Sequence, residues 1–428
     1  MTTASYLRLS ISAVLHLMVD GLCMCCLVLM AAMVSRELIV ASVAVYNATA
    51  FLTQPLTGML ADRTQRRHWL LLAADVLLLA AVAMAMAMSQ CIEMSQCGAA
   101  PMLTAIALLL GAGNSLFHVW GGKQTAVETG NDMRALGFFV STGAFGLALG
   151  MLFCSWPLLL LFMVAVSVLS GVYISSDQRA ERQTADGASA CGISSVPFVC
   201  LAMAGLMAFV MLRSHVGGNF ASHIERTEGT ILLIGVVTMA GKMAGGWIAR
   251  RMGIVPALLL ILATVAASLV LAQRVGMGAL LTGLFAINLT MPITLYLANR
   301  VLPGREGLAF GLLAAALMTG VLVVPLLLTV VIEGVVLLLL GERDKRVLLA
   351  SVAINIATNA PLNLIITHVS SSVATIIVGE TVVVVVEALC YYWLLRSWRQ
   401  AFAYSILCNA MSFLVGLLLE LLYIRFIV

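Results

Sequence analysis

Two titratable side chains, His16 and Asp20, stand four residues apart inside an apolar stretch that runs from about residue 8 to residue 33. Side chains at this spacing share one face of an α-helix, so the imidazole and the carboxyl group could share a proton. A lone carboxylate in an apolar medium is costly and should be neutral, paired or turned towards water. Burial raises the proton affinity of a carboxylate. We therefore predict that this pair binds and releases the coupling proton. A structural hydrogen bond between helices is the alternative.

Three further titratable residues and one methionine interrupt later apolar stretches. His118 and Lys123 occur in the fourth stretch and Lys242 in the eighth, while a methionine precedes Pro292 in the tenth. A cation at this depth should face a cavity, and Lys242 therefore indicates an anionic or carbonyl-bearing ligand. Lys123 could instead extend its side chain to the membrane surface. The predicted substrate-binding residues are His118, Lys123, Lys242 and Met291.

A second set of polar residues lies in the C-terminal part of the chain. Glu380 and Glu387 are seven residues apart, which places them on one helical face, and Glu333 precedes them. Asn359 belongs to a series of asparagines spaced by four. Buried carboxylates and amides of this kind could bind a cation or relay protons, so these four residues form a predicted ion site. Polar stripes also hold apolar helices together, and that packing role is the alternative.

Other kinds of chemistry are not indicated by the sequence. It contains no paired nucleophile and base, no metal-ligand motif and no phosphate-binding loop, so we predict no enzymatic activity, no cofactor and no metal. The net charge is only +4, and the basic residues lie at the ends of apolar stretches rather than in a patch. Nucleic acid is therefore not an expected partner.

The elements that must position these side chains are helices in a lipid bilayer. Of the 428 residues, 62% are hydrophobic and 10% are charged, whereas soluble domains carry about 25% charged residues. The long apolar runs lack the alternation of a membrane β-barrel. The sequence thus predicts an all-α polytopic membrane protein. Predicted spans lie near 8–33, 39–60, 68–88, 101–121, 135–154, 156–176, 195–213, 229–248, 254–273, 277–300, 307–340, 347–367, 372–395 and 401–424.

The stretch 307–340 is the one whose length does not fit a single crossing. A helix needs about 20 residues to cross the bilayer, and a helix of this length would extend about 51 Å. Pro325 lies near its middle, so we predict two short spans here. Fifteen spans result for the whole chain, with fourteen as the alternative.

Charges at the ends of the spans predict the orientation and the domains. Arginines cluster in alternate loops, and the positive-inside rule places these loops and the N-terminus in the cytoplasm. The polar interval 177–194 is then a cytoplasmic linker between two six-helix halves, 1–176 and 195–341. The residues 342–428 are predicted to form about three accessory membrane helices. Repeated halves joined in this way are typical of transporters.

The loop after the second span reads GMLADRTQRR at positions 58–67. This sequence resembles the signature motif of the major facilitator superfamily, G-x-L-A-D-R-x-G-R-K, with Gln65 in place of a glycine. A related sequence, GGWIARRMG, follows the eighth span at 245–253, but Ala249 replaces the aspartate, so an asymmetric pair of gates is expected. The resemblance implies that the cytoplasmic gate is formed by Gly58, Asp62, Arg63, Arg66 and Arg67.

Three other stretches, HLMVDG at 16–21, GNSLFHVWGG at 113–122 and NLTMPI at 288–293, are similar to prokaryotic exporters of the fosmidomycin-resistance type. The resemblance covers about residues 8–340 and leaves the C-terminal extension unassigned. It implies a secondary active transporter of the bacterial cytoplasmic membrane that exports a small organic solute by alternating access, with protons as the coupling ion. The alternatives are a membrane-embedded enzyme or ion-binding assembly built on the C-terminal carboxylates, and a non-transporting receptor or scaffold. The oligomeric state is left open.

Overall fold

The computed structural model describes residues 3–64, 68–90, 96–180, 196–368 and 372–427. These residues are almost entirely helical and include no strand, which confirms the predicted all-α class. The chain divides into two compact units, Met1–Met318 and Thr319–Val428.

The first unit contains the helices on both sides of the polar interval 177–194. Its core is a large cluster of buried apolar side chains in which leucine, alanine and phenylalanine are frequent. The helices before the interval are α1 (Thr3–Ala31), α2 (Arg36–Asn47), α3 (Gln54–Arg63), α4 (Trp69–Gln90), α5 (Gln96–Glu128), α6 (Met133–Leu152) and α7 (Trp156–Ala180). Those after it are α8 (Val196–Ser222), α9 (Glu228–Met252), α10 (Ile254–Val275), α11 (Met277–Asn288), α12 (Thr290–Val301) and the start of α13 (Glu306–Leu339).

Two of the membrane-length segments are broken helices. A π-helical turn, Ala48–Leu52, joins α2 to α3, and Pro55 stands in the first turn of α3. Leu289 separates α11 from α12 three residues before Pro292. Proline has no N–H to donate and crowds the preceding turn, so the backbone changes direction at such points. Both breaks border the cavity described below.

Glycines bring the backbones of α1, α6 and α9 into direct contact. A Cβ atom at Gly146 of α6 would overlap the carbonyl group of Leu17 in α1, and one at Gly150 would overlap that of Gly21. On the other side of α6, a Cβ atom at Gly246 of α9 would overlap the backbone at Met133. Small residues allow this approach, which places the polar residues of α1 and α9 on either side of α6.

The apolar stretch 307–340 forms one continuous helix, α13, and the predicted split into two short spans is wrong. The split was based on the length of the stretch and on Pro325. Membrane helices accommodate extra length by tilting, and they tolerate proline when neighbouring groups satisfy the freed carbonyl. One helix here reduces the predicted fifteen spans to fourteen. It also leaves the stretch 195–341 with five long helical segments rather than six.

Length and hydropathy identify membrane helices directly. Within the described ranges, eleven helical segments are long and apolar enough to cross a bilayer, and the chain is an integral membrane protein. The segments are Ser5–Ala31, Arg36–Arg63, Trp69–Gln90, Ala99–Glu128, Met133–Leu152, Trp156–Ser176, Val196–Ser222, Glu228–Met252, Ile254–Ala272, Met277–Val301 and Ala374–Leu395.

The second unit consists of the end of α13 and three helices that follow it. These are α14 (Lys345–His368), α15 (Val373–Leu395) and α16 (Trp398–Ile427), of which α15 packs against both of its neighbours. Two small apolar clusters hold them together, one around Leu337 and Cys408 and the other around Tyr391 and Ala401.

Candidate functional site

A cavity of about 220 Å³ lies inside the first unit, where helices from both sides of the polar interval meet. Its walls come from α1, the π-helical turn, α3, α5 and α6 before the interval and from α8, α9, α12 and α13 after it. Apolar side chains such as Val140 and Leu313 make up most of the lining. Its polar and charged lining residues are His16, Asp20, Gln54, His118, Arg213, Thr238, Lys242 and Thr294.

Asp20 is the centre of a polar cluster on one wall of this cavity. Its Oδ2 atom lies 3.3 Å from His16 Nε2, and its Oδ1 atom lies 3.5 Å from His118 Nε2. Asn114 also donates a hydrogen bond from Nδ2 to Asp20 Oδ1, at 3.2 Å. Asp20 and His16 are 8% and 4% exposed, so the cluster is nearly closed to solvent. The structure thus brings together the predicted proton-coupling pair and one predicted substrate-binding histidine.

Both histidine rings are held through Nδ1 by backbone carbonyl groups. His16 Nδ1 lies 2.7 Å from the carbonyl oxygen of Phe139, and His118 Nδ1 lies 2.9 Å from that of Asn114. A carbonyl oxygen only accepts hydrogen bonds, so we assign the ring hydrogen to Nδ1 in each case. In a neutral ring the Nε2 lone pair then faces the Asp20 carboxylate. Such an arrangement needs a positive charge between them, either a proton or another cation.

The same three side chains could hold a metal ion. One ligand atom from each of His16, Asp20 and His118 lies within 4.8 Å of the others. Adjacent ligands of a tetrahedral zinc ion lie about 3.4 Å apart, close to the 3.3 and 3.5 Å found here between nitrogen and oxygen. Histidines that bind metals usually donate their other N–H to a carbonyl group, as both do here. The sequence prediction of no metal rested on short motifs, which cannot detect ligands supplied by two helices.

Two cations on helices after the polar interval line the same cavity. Arg213 in α8 is 5% exposed, and its Nε atom has no hydrogen-bond partner among the described residues. Lys242 in α9 is half-buried and forms no ion pair within the described ranges. The sequence had placed Arg213 at the end of its span, but α8 continues to Ser222, which moves this arginine into the membrane segment.

The other predicted substrate-binding residues have different positions. Met291 lines the cavity beside the α11–α12 break. Lys123 does not line it; its Nζ atom lies 3.3 Å from Asp62 and donates to the carbonyl group of Ala61 at 2.7 Å. Gln54 and Thr294, which line the cavity, were missed by the sequence analysis. Proximity to Pro55 and Pro292 was the available signal, because prolines mark helix breaks.

The predicted gate motif contacts the start of α13. Asp62 accepts hydrogen bonds from the backbone N–H groups of Gly307, at 2.9 Å, and Leu308, at 2.8 Å. A Cβ atom at Gly58 would overlap the backbone of Gly307, so glycine is needed for this contact. Arg63 is exposed. The predicted gate residues Arg66 and Arg67 lie outside the described residues.

A second contact of this kind joins α6 to α9. Asp132 caps the N-terminus of α6 by accepting from the Arg134 N–H, at 2.9 Å, and Arg250 Nη1 donates to Asp132 Oδ2, also at 2.9 Å. Burial opposes ionisation of the Asp132 carboxyl group, but hydrogen bonds from Arg134 and the charge of Arg250 outweigh it and lower its pKa. At the motif 245–253, Asp132 therefore supplies the carboxylate that Ala249 lacks.

In the second unit the predicted ion-site residues also lie together. Glu333 and Glu387 are fully buried, whereas Glu380 is half-buried. Asn355 donates to Glu333, and Asn359 donates to both Asn355 Oδ1 and Glu387 Oε1.

Comparison with known proteins finds relatives by fold but not by sequence. No family model matches the chain, and no curated protein matches it. The transporter FucP of the major facilitator superfamily, in its outward conformation, has a TM-score of 0.53 at 11% identity over 77% of this chain and 93% of its own. A variant of the E. coli fucose:proton symporter FucP gives 0.51 and 12%, covering 83% and 97%. An outward-facing bacterial homologue of the iron transporter ferroportin, soaked with iron, gives 0.54 and 16%, covering 85% and 99%. These likenesses show the fold of major facilitator transporters.

Proposed function

We propose that this chain is a secondary active transporter that carries a small organic anion by alternating access, with protons as the coupling ion, in a bacterial cytoplasmic membrane and with its N-terminus in the cytoplasm. The observation that carries the proposal is the charge arrangement of the cavity. Arg213 and Lys242 come from helices after the polar interval, and Asp20 with its two histidines comes from helices before it.

The charges of this cavity favour an anionic substrate. With neutral imidazoles, one carboxylate opposes two cations, so the lining holds one positive charge in excess. Buried cations without partners are unfavourable, and a bound carboxylate, phosphate or phosphonate would satisfy Arg213 through paired hydrogen bonds. The volume of about 220 Å³ limits the substrate to a small molecule.

Proton coupling follows from the position of Asp20. An anion bound to Arg213 and Lys242 adds negative potential to the cavity, which favours protonation of the cluster around Asp20. Anion and proton then favour each other's binding, which is the condition for co-transport. The sequence resemblance implies export of the solute in exchange for protons. Such exchange requires that solute and proton exclude each other from the site. Co-transport is therefore the form that we propose, and one protein of similar fold is itself a fucose:proton symporter.

Alternating access requires gates that open and close. The Asp62–Gly307 and Asp132–Arg250 contacts both join a helix from before the polar interval to one from after it. Asp62 lies in the motif and Arg250 in its echo, so both contacts would close the same end of the cavity. Their release would let the cavity open towards that end.

Proton flux in liposomes tests this function. Reconstituted protein would be challenged with small carboxylates, phosphates and phosphonates while internal pH is followed. We expect one class of anion to carry protons with it in the wild type. Asp20→Asn should abolish the proton movement, while Asp75→Asn, a matched change at a membrane aspartate bonded to Ser167, should not. Folded protein that moves no proton with any anion would refute the proposal and favour a scaffold role.

A second candidate function, transport of a metal ion, is supported by the convergence of His16, Asp20 and His118. A homologue of the iron transporter ferroportin is among the proteins of similar fold. Co²⁺ uptake by the same liposomes, measured with a metal-sensitive dye, separates the two candidates. Co²⁺ transport lost in His118→Gln, without proton movement by any anion, would establish the metal function. Anion-driven proton flux without Co²⁺ uptake would exclude it.

A further inference from the structure

Two fully buried carboxylates in the second unit are surrounded by uncharged groups. Glu333 in α13 and Glu387 in α15 are both 0% exposed. The basic residues with described side chains in this unit, such as Arg343 and Arg396, lie where one helix ends and the next begins. No ion pair joins either carboxylate to a basic group among the side chains that the structure describes there. Charges buried in this way are costly unless a cation or hydrogen bonds compensate them.

The hydrogen bonds are distributed unequally between the two carboxylates. Glu387 accepts from the Thr358 hydroxyl at 2.9 Å, from Asn359 at 3.3 Å and from Asn409 at 2.5 Å. Three donors on one carboxylate stabilise its anionic form. Glu333 accepts from Asn355 through Oε2, while its buried Oε1 atom has no partner among the described residues. Hydrogen bonds therefore satisfy Glu387 more fully than Glu333.

The charged groups nearest to Glu333 are negative. Glu380 and Glu387 of α15 lie close enough to add negative potential at Glu333, and Cys408 of α16 contacts its backbone carbonyl. The groups that α14 presents here, Asn355 among them, are uncharged. The potential at the free oxygen thus favours a positive charge.

We propose that the second unit contains a binding site for one monovalent cation, a proton or Na⁺, at the buried Oε1 atom of Glu333, which has no partner among the described residues. The carboxylate of Glu333 carries one negative charge, which one monovalent cation balances. The site lies in a different unit from the cavity, and it does not depend on the proposed transport function.

Two measurements on the full-length protein test the site and separate its two occupants. Infrared spectroscopy detects the C=O stretch of a buried protonated carboxylic acid, and radioactive Na⁺ measures sodium binding. A protonated-acid band that is lost in Glu333→Gln identifies the proton as the occupant. Na⁺ binding that is lost in this variant identifies sodium. Because Asp20 is unchanged in this variant, the wild-type signal minus the variant signal contains no contribution from Asp20.

The matched control is Glu342→Gln, which changes a partly exposed glutamate in the same unit. This variant should keep whichever signal the wild type shows. Wild-type protein with neither signal, or with signals that survive Glu333→Gln, would overturn the proposal. If Glu333→Gln fails to fold, Glu387→Gln serves as the second variant, and it should weaken the signal because it removes the neighbouring negative charge.

Discussion

At the residue scale, neighbouring backbone groups pack closely against the cluster around Asp20 and fix its geometry. Carbonyl groups of Phe139 and Asn114 fix the two imidazole rings, and both rings direct Nε2 at the same carboxylate. Gly143 of α6 lies against this cluster, because a Cβ atom there would overlap Asp20 Oδ2. The absence of a side chain at position 143 is thus part of the site.

The substitution Gly143→Ala should disturb the cluster more than the fold. The added methyl group must push aside Asp20 or His16, at a cost of about 1–3 kcal/mol in the free energy of unfolding. We expect proton-coupled flux to be lost or strongly reduced. Gly171→Ala in α7 is the control, because a Cβ atom there meets nothing within 4 Å. It should leave flux unchanged and could raise stability by about 0.5–1 kcal/mol. Equal flux in the two variants would contradict this account.

The substitution Lys242→Met should weaken binding of the anion. It removes one of the two cations of the cavity while keeping an unbranched apolar side chain. A hydrogen bond to a charged group contributes about 1.5–3 kcal/mol, so we expect binding roughly 10–150-fold weaker in a radioligand assay. Lys345→Met, at the start of α14, is the control and should bind normally. Unchanged affinity in Lys242→Met would exclude this lysine from the binding site.

At the element scale, helix ends carry the two contacts that we propose as gates. Asp62 accepts two N–H groups at the N-terminus of α13, where the helix dipole also favours a negative charge. Lys123 of α5 forms an ion pair with the same carboxylate. Asp132 plays a related part at the N-terminus of α6, with Arg250 as its partner from α9. The sequence indicated the first gate through its motif but not the second, because Asp132 lies outside the echo of that motif.

The substitution Asp62→Asn should favour opening at the end of the cavity that carries the motif. The amide removes the negative charge that the helix dipole and Lys123 stabilise, which contributes about 0.3–1 kcal/mol and corresponds to a population shift of roughly 2- to 5-fold. Distances between spin labels on α3 and α13 should broaden towards longer values. Asp344→Asn, in an exposed turn of the second unit where Asp344 accepts from Arg346, is the control and should leave them unchanged. A distance distribution identical to wild type in Asp62→Asn would argue against a gate here.

The Asp132 gate should weaken in acid. Because the pKa of Asp132 is lowered in the folded protein, its stabilising effect is complete above the ordinary aspartate pKa of about 3.9 and is lost as pH falls through the lower folded-state value. The contribution of the exposed pair with Arg250 is about 0.2–1 kcal/mol. Spin-label distances between α6 and α9 should lengthen on acidification in wild type, whereas Asp132→Asn should show the longer distances at neutral pH already.

At the scale of the whole molecule, the described chain consists of two compact units with separate polar centres. The cavity belongs to the first unit, and the buried carboxylates Glu333 and Glu387 belong to the second. The fold resembles transporters of the major facilitator superfamily by structure, although no sequence relative was found. A helix of 34 residues, α13, begins in one unit and ends in the other.

Substitutions in the second unit should leave the chemistry of the cavity intact. Glu333→Gln removes the proposed ion site without altering a residue that lines the cavity. We therefore expect anion affinity and the Asp20-dependent proton coupling to match wild type in the liposome assay. Loss of coupling in Glu333→Gln, with the protein still folded, would instead show that the second unit takes part in transport.

The sequence by itself determined the membrane class, the helical composition and the location of polar residues within apolar stretches. These features follow from local hydropathy, since lipid requires every backbone group to bond within a helix. The pairing of His16 with Asp20 was also accessible, because a spacing of four residues defines one helical face. Motif resemblance singled out Asp62 before its contact with the start of α13 was known.

Tertiary structure decided which distant residues meet. His118 and Asn114 join Asp20 only because α5 packs near α1, and Arg213 faces the cavity only because α8 extends beyond the apolar stretch that predicted it. Lys123 pairs with Asp62 and does not line the cavity. Hydropathy shows where a residue lies along a helix, but not which neighbouring helix its side chain faces. The length of α13 was likewise undecided, because tilt depends on the neighbouring helices and not on the number of apolar residues.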